Sequence, residues 1–268
     1  MSTAMYAIRE LEDAIDICTT GANGDDDNSV DEAAAFYTGS LEGVDGSGTG
    51  VLMYSLAEKR CANFKTCGEK GNDVTGKAKV NLDIFKELAN MNTNYAKLKC
   101  EDARTNKENI AKKMFVPLVQ GTLRYAYIRS TDGDADAKDE AEGATFAAAV
   151  LPVVANCSAD DAATIYNNMK PGSGKADFAS VKHAFESNYG CMGITCADVG
   201  GYYDSANMQY FDGAAPCGGA GGGNSGANVG LAVGLTIGGL VLVGLIFMFV
   251  KRRKASAVEF KSDDNQHV

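Results

Sequence analysis

Cys61 and Cys157 stand 96 residues apart, and so do Cys100 and Cys196. Lys79 and Lys86 meet Lys175 and Lys182 at the same offset. Upstream, Glu32 and Glu140 are 108 apart, and the difference of twelve falls on a Gly/Ser loop, residues 39–50, that holds five glycines. Residues 31–67 read DEAAAFYTGSLEGVDGSGTGVLMYSLAEKRCANFKTC, and residues 139–157, DEAEGATFAAAVLPVVANC, keep that frame without the loop. A two-copy pattern describes a duplicated lobe rather than a solenoid, which needs roughly three or more units.

Periodicity makes the lobes helical. Ile8, Leu11, Ile15 and Cys18 recur at three and four, as do Ile84, Leu88, Met91, Tyr95 and Leu98. Asp31 and Glu32 suit the positive end of a helix dipole. Residues 51–64 are apolar on most faces, which predicts a central helix, and residues 110–130 predict a helix bent by Pro117. No stretch alternates as a strand does. The fold expected is all-α: a two-lobed duplicated helical bundle with disulfides, lobe 1 at 1–103 and lobe 2 at 104–212.

A Gly-rich stalk, 213–228, follows. Residues 229–250 then carry no charge over 22 positions, enough to cross roughly 30 Å of hydrocarbon. The KRRK run at 251–254 puts the tail, 251–268, in the cytoplasm and residues 1–228 outside, at a plasma or endosomal membrane. Gly230, Gly234 and Gly238 form a small-residue face on which a homodimer can pack. The start, MSTAMYAIRELED, shows no signal peptide and reads as a mature form or a truncated gene model.

Eight cysteines, all before that span, fit an oxidising compartment. If the copies are equivalent, the matching bridges are Cys61–Cys100 and Cys157–Cys196, leaving Cys18–Cys67 and Cys191–Cys217 within their own lobes. Eight cysteines allow on the order of a hundred connectivities, so others stay open.

Net charge is −10 for the chain. The tail removes five basic and three acidic residues, leaving 20 against 32 outside, a field that repels nucleic acid. His183 is the one histidine before the span, which excludes a histidine zinc site and leaves a hydrolytic triad only that residue to build on. No HExxH, CxxC, GxGxxG or Walker loop is present, so an enzyme is not the expected class. The acidic runs at 25–27 and 132–136 lack the glutamate and glycine register of a calcium-binding EF-hand.

Eleven tyrosines and many carboxylates supply hard oxygen donors instead. Tyr37 and Tyr54 flank the loop that only the first copy has, and Glu42 and Asp45 lie within it. Arg9, Glu10 and Asp13 cluster on the first helix. Tyr125 and Tyr127 flank a small residue beside Arg124, a guanidinium able to hold an anion. Each aromatic also suits plain core packing.

DEAAAFYTGSLEG, GVLMYSLAEKRCANFKTCG, VPLVQGTLRYAYIRS and EGATFAAAVLPVVANC, in this order, resemble the iron-assimilation proteins of algae and the membrane-anchored phytotransferrins. The resemblance spans most of residues 1–212. It implies an extracellular helical protein that binds ferric iron, with carbonate as synergistic anion, for uptake by endocytosis. Acidic motifs of the REXXE type are proposed iron ligands in that family; here the first-helix version ends in Asp13. On this expectation Tyr37, Tyr54, Glu42, Asp13 and Glu10 hold the metal and Arg9 or Arg124 holds the anion. Tyr125, Tyr127 and Asp45 are secondary candidates. A structural or adhesion ectodomain that needs no metal is the alternative.

Overall fold

Ala4, Ala7, Leu11, Ala14 and Ile15 line one face of helix α1 (Ser2–Thr20), and all five are buried. The computed structural model describes residues 2–21, 28–42, 48–131 and 136–217. Helix α2 (Ser29–Thr38) packs back along α1, and α3 (Met53–Phe64) follows the Gly/Ser loop. At Lys65 the backbone turns left-handed (φ 55°) and closes α3. Helices α4 (Lys79–Ala96) and α5 (Cys100–Met114) form a hairpin. Glu101 and Asp102 begin α5 and Lys112 and Lys113 end it, each matched to its end of the dipole.

Helix α6 (Val116–Thr131) is the centre of the molecule: eleven of its sixteen residues are buried, and it touches α3, α5, α7, α8, α9 and α11. Its buried polar groups are satisfied. Gln120 donates to Thr66 Oγ1 (3.1 Å) and the Val199 carbonyl (2.8 Å), and Arg129 to Ser173 Oγ (2.8 Å) and the Gly174 carbonyl (2.6 Å). Helices α7 (Ala137–Cys157), α8 (Ala159–Met169) and α9 (Phe178–Glu186) complete the second half, with short α10 (Tyr189–Met192) and α11 (Cys196–Val199). Asp136, Ser158 and Asp177 cap the starts of α7, α8 and α9. A two-residue antiparallel pair, β1 (Tyr203–Asp204) with β2 (Gln209–Tyr210), closes the described chain.

The helical reading holds, with corrections. The segment at 110–130 is two helices rather than one bent helix, because Pro117 has no N–H for the Lys113 carbonyl and its ring crowds that group. The lobe boundary at 103 falls inside α5, and the described residues fall in one compact unit. The stalk boundary at 213 also falls inside that unit: Ala214 is buried and Cys217 is bridged to Cys196.

None of the four expected disulfides forms. The bridges are Cys18–Cys100, Cys61–Cys67, Cys157–Cys191 and Cys196–Cys217. Cys61–Cys100 fails because the Lys65 turn returns Cys67 to within 4.8 Å of Cys61 (Cα to Cα), while α1 packing on α5 sets Cys18 5.7 Å from Cys100. Those two bridges also consume both members of Cys18–Cys67. Cys157–Cys196 and Cys191–Cys217 fail because α10 packs on α7, leaving Cys196, at the start of α11, to meet Cys217.

The expected stalk beyond Cys217, the apolar run 229–250 with Gly230, Gly234 and Gly238, and the tail lie outside the described residues. Among the described residues, no helix is long and apolar enough to cross a membrane.

Candidate functional site

The tyrosines beside the loop are structural. Tyr37 is fully buried; its hydroxyl donates to Asn81 Oδ1 (2.5 Å), and Asn81 in turn donates to Glu58 Oε1 (2.6 Å) and the Tyr54 carbonyl (3.1 Å). Burial, then the neighbouring Glu58 and Tyr54, push the Tyr37 phenol far above its ordinary range. Tyr54, also buried, accepts from Lys77 (3.1 Å). The two rings meet edge-on with centroids 6.4 Å apart, and Phe85 packs edge-on against both. This is a satisfied core network with a phenol unsuited to ionising, a poor fit to a ferric ion.

Glu42 is 1% exposed, and its Oε1 accepts from the Leu52 amide across the loop (3.1 Å). Its other oxygen has no partner. A Cβ on Gly50 would fall 2.1 Å from Oε1, so glycine is what lets the loop close over the carboxylate. Asp45 lies outside the described residues.

On α1, Arg9 and Asp13 consume each other in a two-contact ion pair (3.0 and 2.9 Å) on an exposed face. Glu10 faces Glu32 of α2; partial burial, then that second carboxylate, raise its pKa. Asp13 and Arg9 of the expected set are therefore engaged with each other, while Glu10 stands beside a second carboxylate. Among the described residues, no group of three or more His, Cys, Asp or Glu side chains is placed to hold a metal.

The residues that do converge lie between α6 and α7. Tyr125 donates a hydrogen bond to Glu142 Oε2, and Lys138 approaches the other carboxylate oxygen at 3.8 Å. The Glu142 side chain keeps 39% of its exposure, so the pair reaches solvent on its Glu142 side, while Tyr125 is buried. Burial and the bond to Glu142 raise the Tyr125 phenol, against the pull of Arg124 and Arg60. The Arg124 guanidinium sits 4.8 Å from the centroid of the Tyr125 ring. Arg60, reaching in from α3, lies 5.9 Å from that of Phe146. Tyr125 and Phe146 are stacked with centroids 5.8 Å apart.

Two glycines make this approach possible. The Phe146 ring lies where a Cβ on Gly121 would be, 2.7 Å from it, and Gly143 does the same for Tyr125 Cβ at 2.9 Å. Tyr127, two residues on, points elsewhere: it packs with Phe178, Tyr202 and Phe211, and burial with Asp212 raises its pKa. His183 is an exposed residue of α9.

Arg124 and Tyr125 were visible in the sequence as candidates. Glu142, Phe146 and Arg60 were not, although Glu142 and Phe146 stand four apart on one helix face and Gly121 and Tyr125 do the same on the other.

No family model, curated protein or solved structure matches the chain.

Proposed function

We propose that this chain is a cell-surface ferric-iron-binding protein for iron uptake, with carbonate as the anion completing the coordination, and that its site is the α6–α7 contact. The observation that carries the reading is the Tyr125–Glu142 pair, which reaches solvent through Glu142, with Arg124 on the Tyr125 ring. Phenolate and carboxylate are hard donors, and a trivalent cation can replace the proton they share. The four segments resembling algal iron-assimilation proteins support the same class, and the apolar run followed by KRRK supports placement at a membrane.

Addition of ferric iron and bicarbonate to the full-length chain should produce a visible tyrosinate charge-transfer band. Tyr125→Phe should abolish it, while Tyr37→Phe combined with Tyr54→Phe should leave it intact. The proposal is falsified if no band forms at micromolar protein; a band that survives Tyr125→Phe moves the site.

A second reading, an adhesion ectodomain, is favoured by exposed apolar side chains near the loop: Met5, Tyr6, Leu41 and Val51, the last 85% exposed. Val51 also borders a groove of about 370 Å³ between α3 and α7. This reading requires cell-surface attachment that a chelator leaves unchanged and Val51→Asp removes. Attachment lost on chelation would argue against it.

A further inference from the structure

Asn156-Cys157-Ser158 is the single Asn-x-Ser/Thr triplet in the chain. Such a triplet is the acceptor for asparagine-linked glycans, and a match this short means little until the fold places it. Here the fold places it at the surface. Asn156 lies in the last turn of α7 and is exposed, as are Ala155 before it and Ala159 and Asp160 just beyond. Thr145, Ala148, Pro152 and Ala155 on the same helix are exposed too and carry no charge, over about 15 Å of its length. A glycan at Asn156 would hydrate the end of a surface with few groups of its own to do so. All eight cysteines are paired in four bridges, which fits maturation in an oxidising compartment, where such glycans are added.

The folded triplet is not itself an acceptor. Glycan transfer needs the asparagine amide and the hydroxyl two residues on to be free to approach each other. In the fold Asn156 is helical, and Ser158 Oγ accepts from the Asp161 amide (3.2 Å) as the cap of α8. Cys157 between them is bridged to Cys191. Both restraints arrive after the triplet does. Cys191 follows Cys157 by 34 residues, so at about 5–20 residues per second the triplet precedes its bridge partner by about 2–7 s. Modification belongs to that interval, and closure of the bridge competes with it.

We propose that Asn156 is a site of N-linked glycosylation, modified during synthesis before Ser158 caps α8 and Cys157 meets Cys191. The donor is a lipid-pyrophosphate-linked oligosaccharide. Asn156 Nδ2 attacks C1 of its first sugar; the N–C1 bond forms as the C1–O bond to pyrophosphate breaks. The lipid pyrophosphate leaves with the electron pair, the amide gives up one proton, and nothing is oxidised or reduced. The inference rests on the extracellular placement in the reading above and is independent of iron.

The test is expression of the full-length chain in a eukaryotic secretory host behind a cleavable leader, followed by an amidase that removes Asn-linked glycans. The expected result is one gel shift that the amidase reverses, with Asn156 converted to aspartate in the peptide map. Asn156→Gln and Ser158→Ala should abolish the shift. Ser158→Thr, which keeps both the hydroxyl and the cap, should retain it. Cys157→Ser combined with Cys191→Ser should raise the occupied fraction, because the competing bridge is gone. Asn156→Gln changes an exposed side chain and leaves Ser158 in place, so it separates loss of the acceptor from loss of the α8 cap. Gln209→Thr is the control for delivery: it sets a threonine two residues after exposed Asn207 and should add a second glycan. A glycan at Asn207 without one at Asn156, or a parent shift that survives Asn156→Gln, overturns the inference. The leader delivers the chain whether or not iron binds. A glycan without a ferric band therefore sustains this site and removes the iron reading; a ferric band with Asn156 unmodified does the reverse.

Discussion

Gly143 sets how closely α6 and α7 approach, so Gly143→Ala is the sharpest test of their packing. The added Cβ would lie 2.8 Å from Met169 Cε and 2.9 Å from Tyr125 Cβ. The Met169 methyl can swing aside. Tyr125 Cβ is fixed to the α6 backbone, so reaching ordinary contact requires the helices to part by about half an ångström. Alanine returns about 1 kcal/mol of helix propensity, and overpacking a filled core costs about 1–3 kcal/mol. Tyr125 and Met169 are 4% and 0% exposed, which leaves little room to relax and favours the upper part of that range. The expected net loss is about 1–2 kcal/mol. Gly190→Ala is the matched control: α10 exposes Gly190, nothing lies within 4 Å of its added Cβ, and the expected effect is a gain of up to about 1 kcal/mol. In urea unfolding with disulfides intact, followed at 222 nm, a slope of about 2 kcal/mol per M turns the Gly143→Ala loss into a midpoint about 0.5–1 M lower. A midpoint at or above the parent's would refute the close packing of α6 on α7.

The disulfides should differ in worth. Cys18–Cys100 closes a separation of 82 and Cys61–Cys67 one of 6, so replacing each pair by serine should cost about 4–5 and about 2 kcal/mol respectively in urea unfolding. Tyr37→Phe strips Asn81 Oδ1 of its donor and should cost about 1–3 kcal/mol, read from the same midpoint. For Asp198, burial raises the carboxyl pKa, but hydrogen bonds from Lys113 and Thr195 outweigh it and hold the carboxyl below its usual range. A depressed folded pKa stabilises fully above about pH 4, the unfolded value, and that contribution is lost as pH falls through the folded pKa. Asp198→Asn should therefore cost about 1 kcal/mol of stability at neutral pH after solvent screening, read from the urea midpoint, and converge with the parent in acid. Curves that stay parallel down to about pH 2 would deny Asp198 that role.

Local signals were legible where one helix decides its own ends and buried face. The apolar spacing of α1 and the acidic start of α2 needed no partner to interpret. Helix α8 was legible too, with Ser158 as its cap and Ala162, Ile165 and Met169 on one face, but it has no counterpart in the first half, and a reading led by the repeat passed over it. The disulfides were not legible. Equal spacing in sequence carries through Cys61 and Cys157, each near the C-terminus of its helix, and then the chain paths diverge. Cys61 closes on its own turn, whereas Cys157 reaches forward to α10.

The Gly/Ser loop misled for a related reason: a segment present in one copy reads as function, yet its first effect here is mechanical. Helices α2 and α3 have 10 and 12 residues, and α7 has 21, so the insertion amounts to a cut through one long helix. Glu42 then turns inward to tie the cut ends at Leu52, and Tyr37 and Tyr54 become core on either side. Helix α7, whose sequence matches that stretch without the loop, presents Glu142 and Phe146 on one face. Opposite them, Tyr125 and Gly121 run the other way along α6, so each meets its partner only in the antiparallel register set by Gly121 and Gly143. Spacing within a helix reports which residues share a face; it carries nothing about the register between two faces. Arg60 is further removed still, because it reaches this contact from α3, much earlier in the chain. A contact built from segments this far apart in the chain is invisible to a comparison of one sequence stretch with its match.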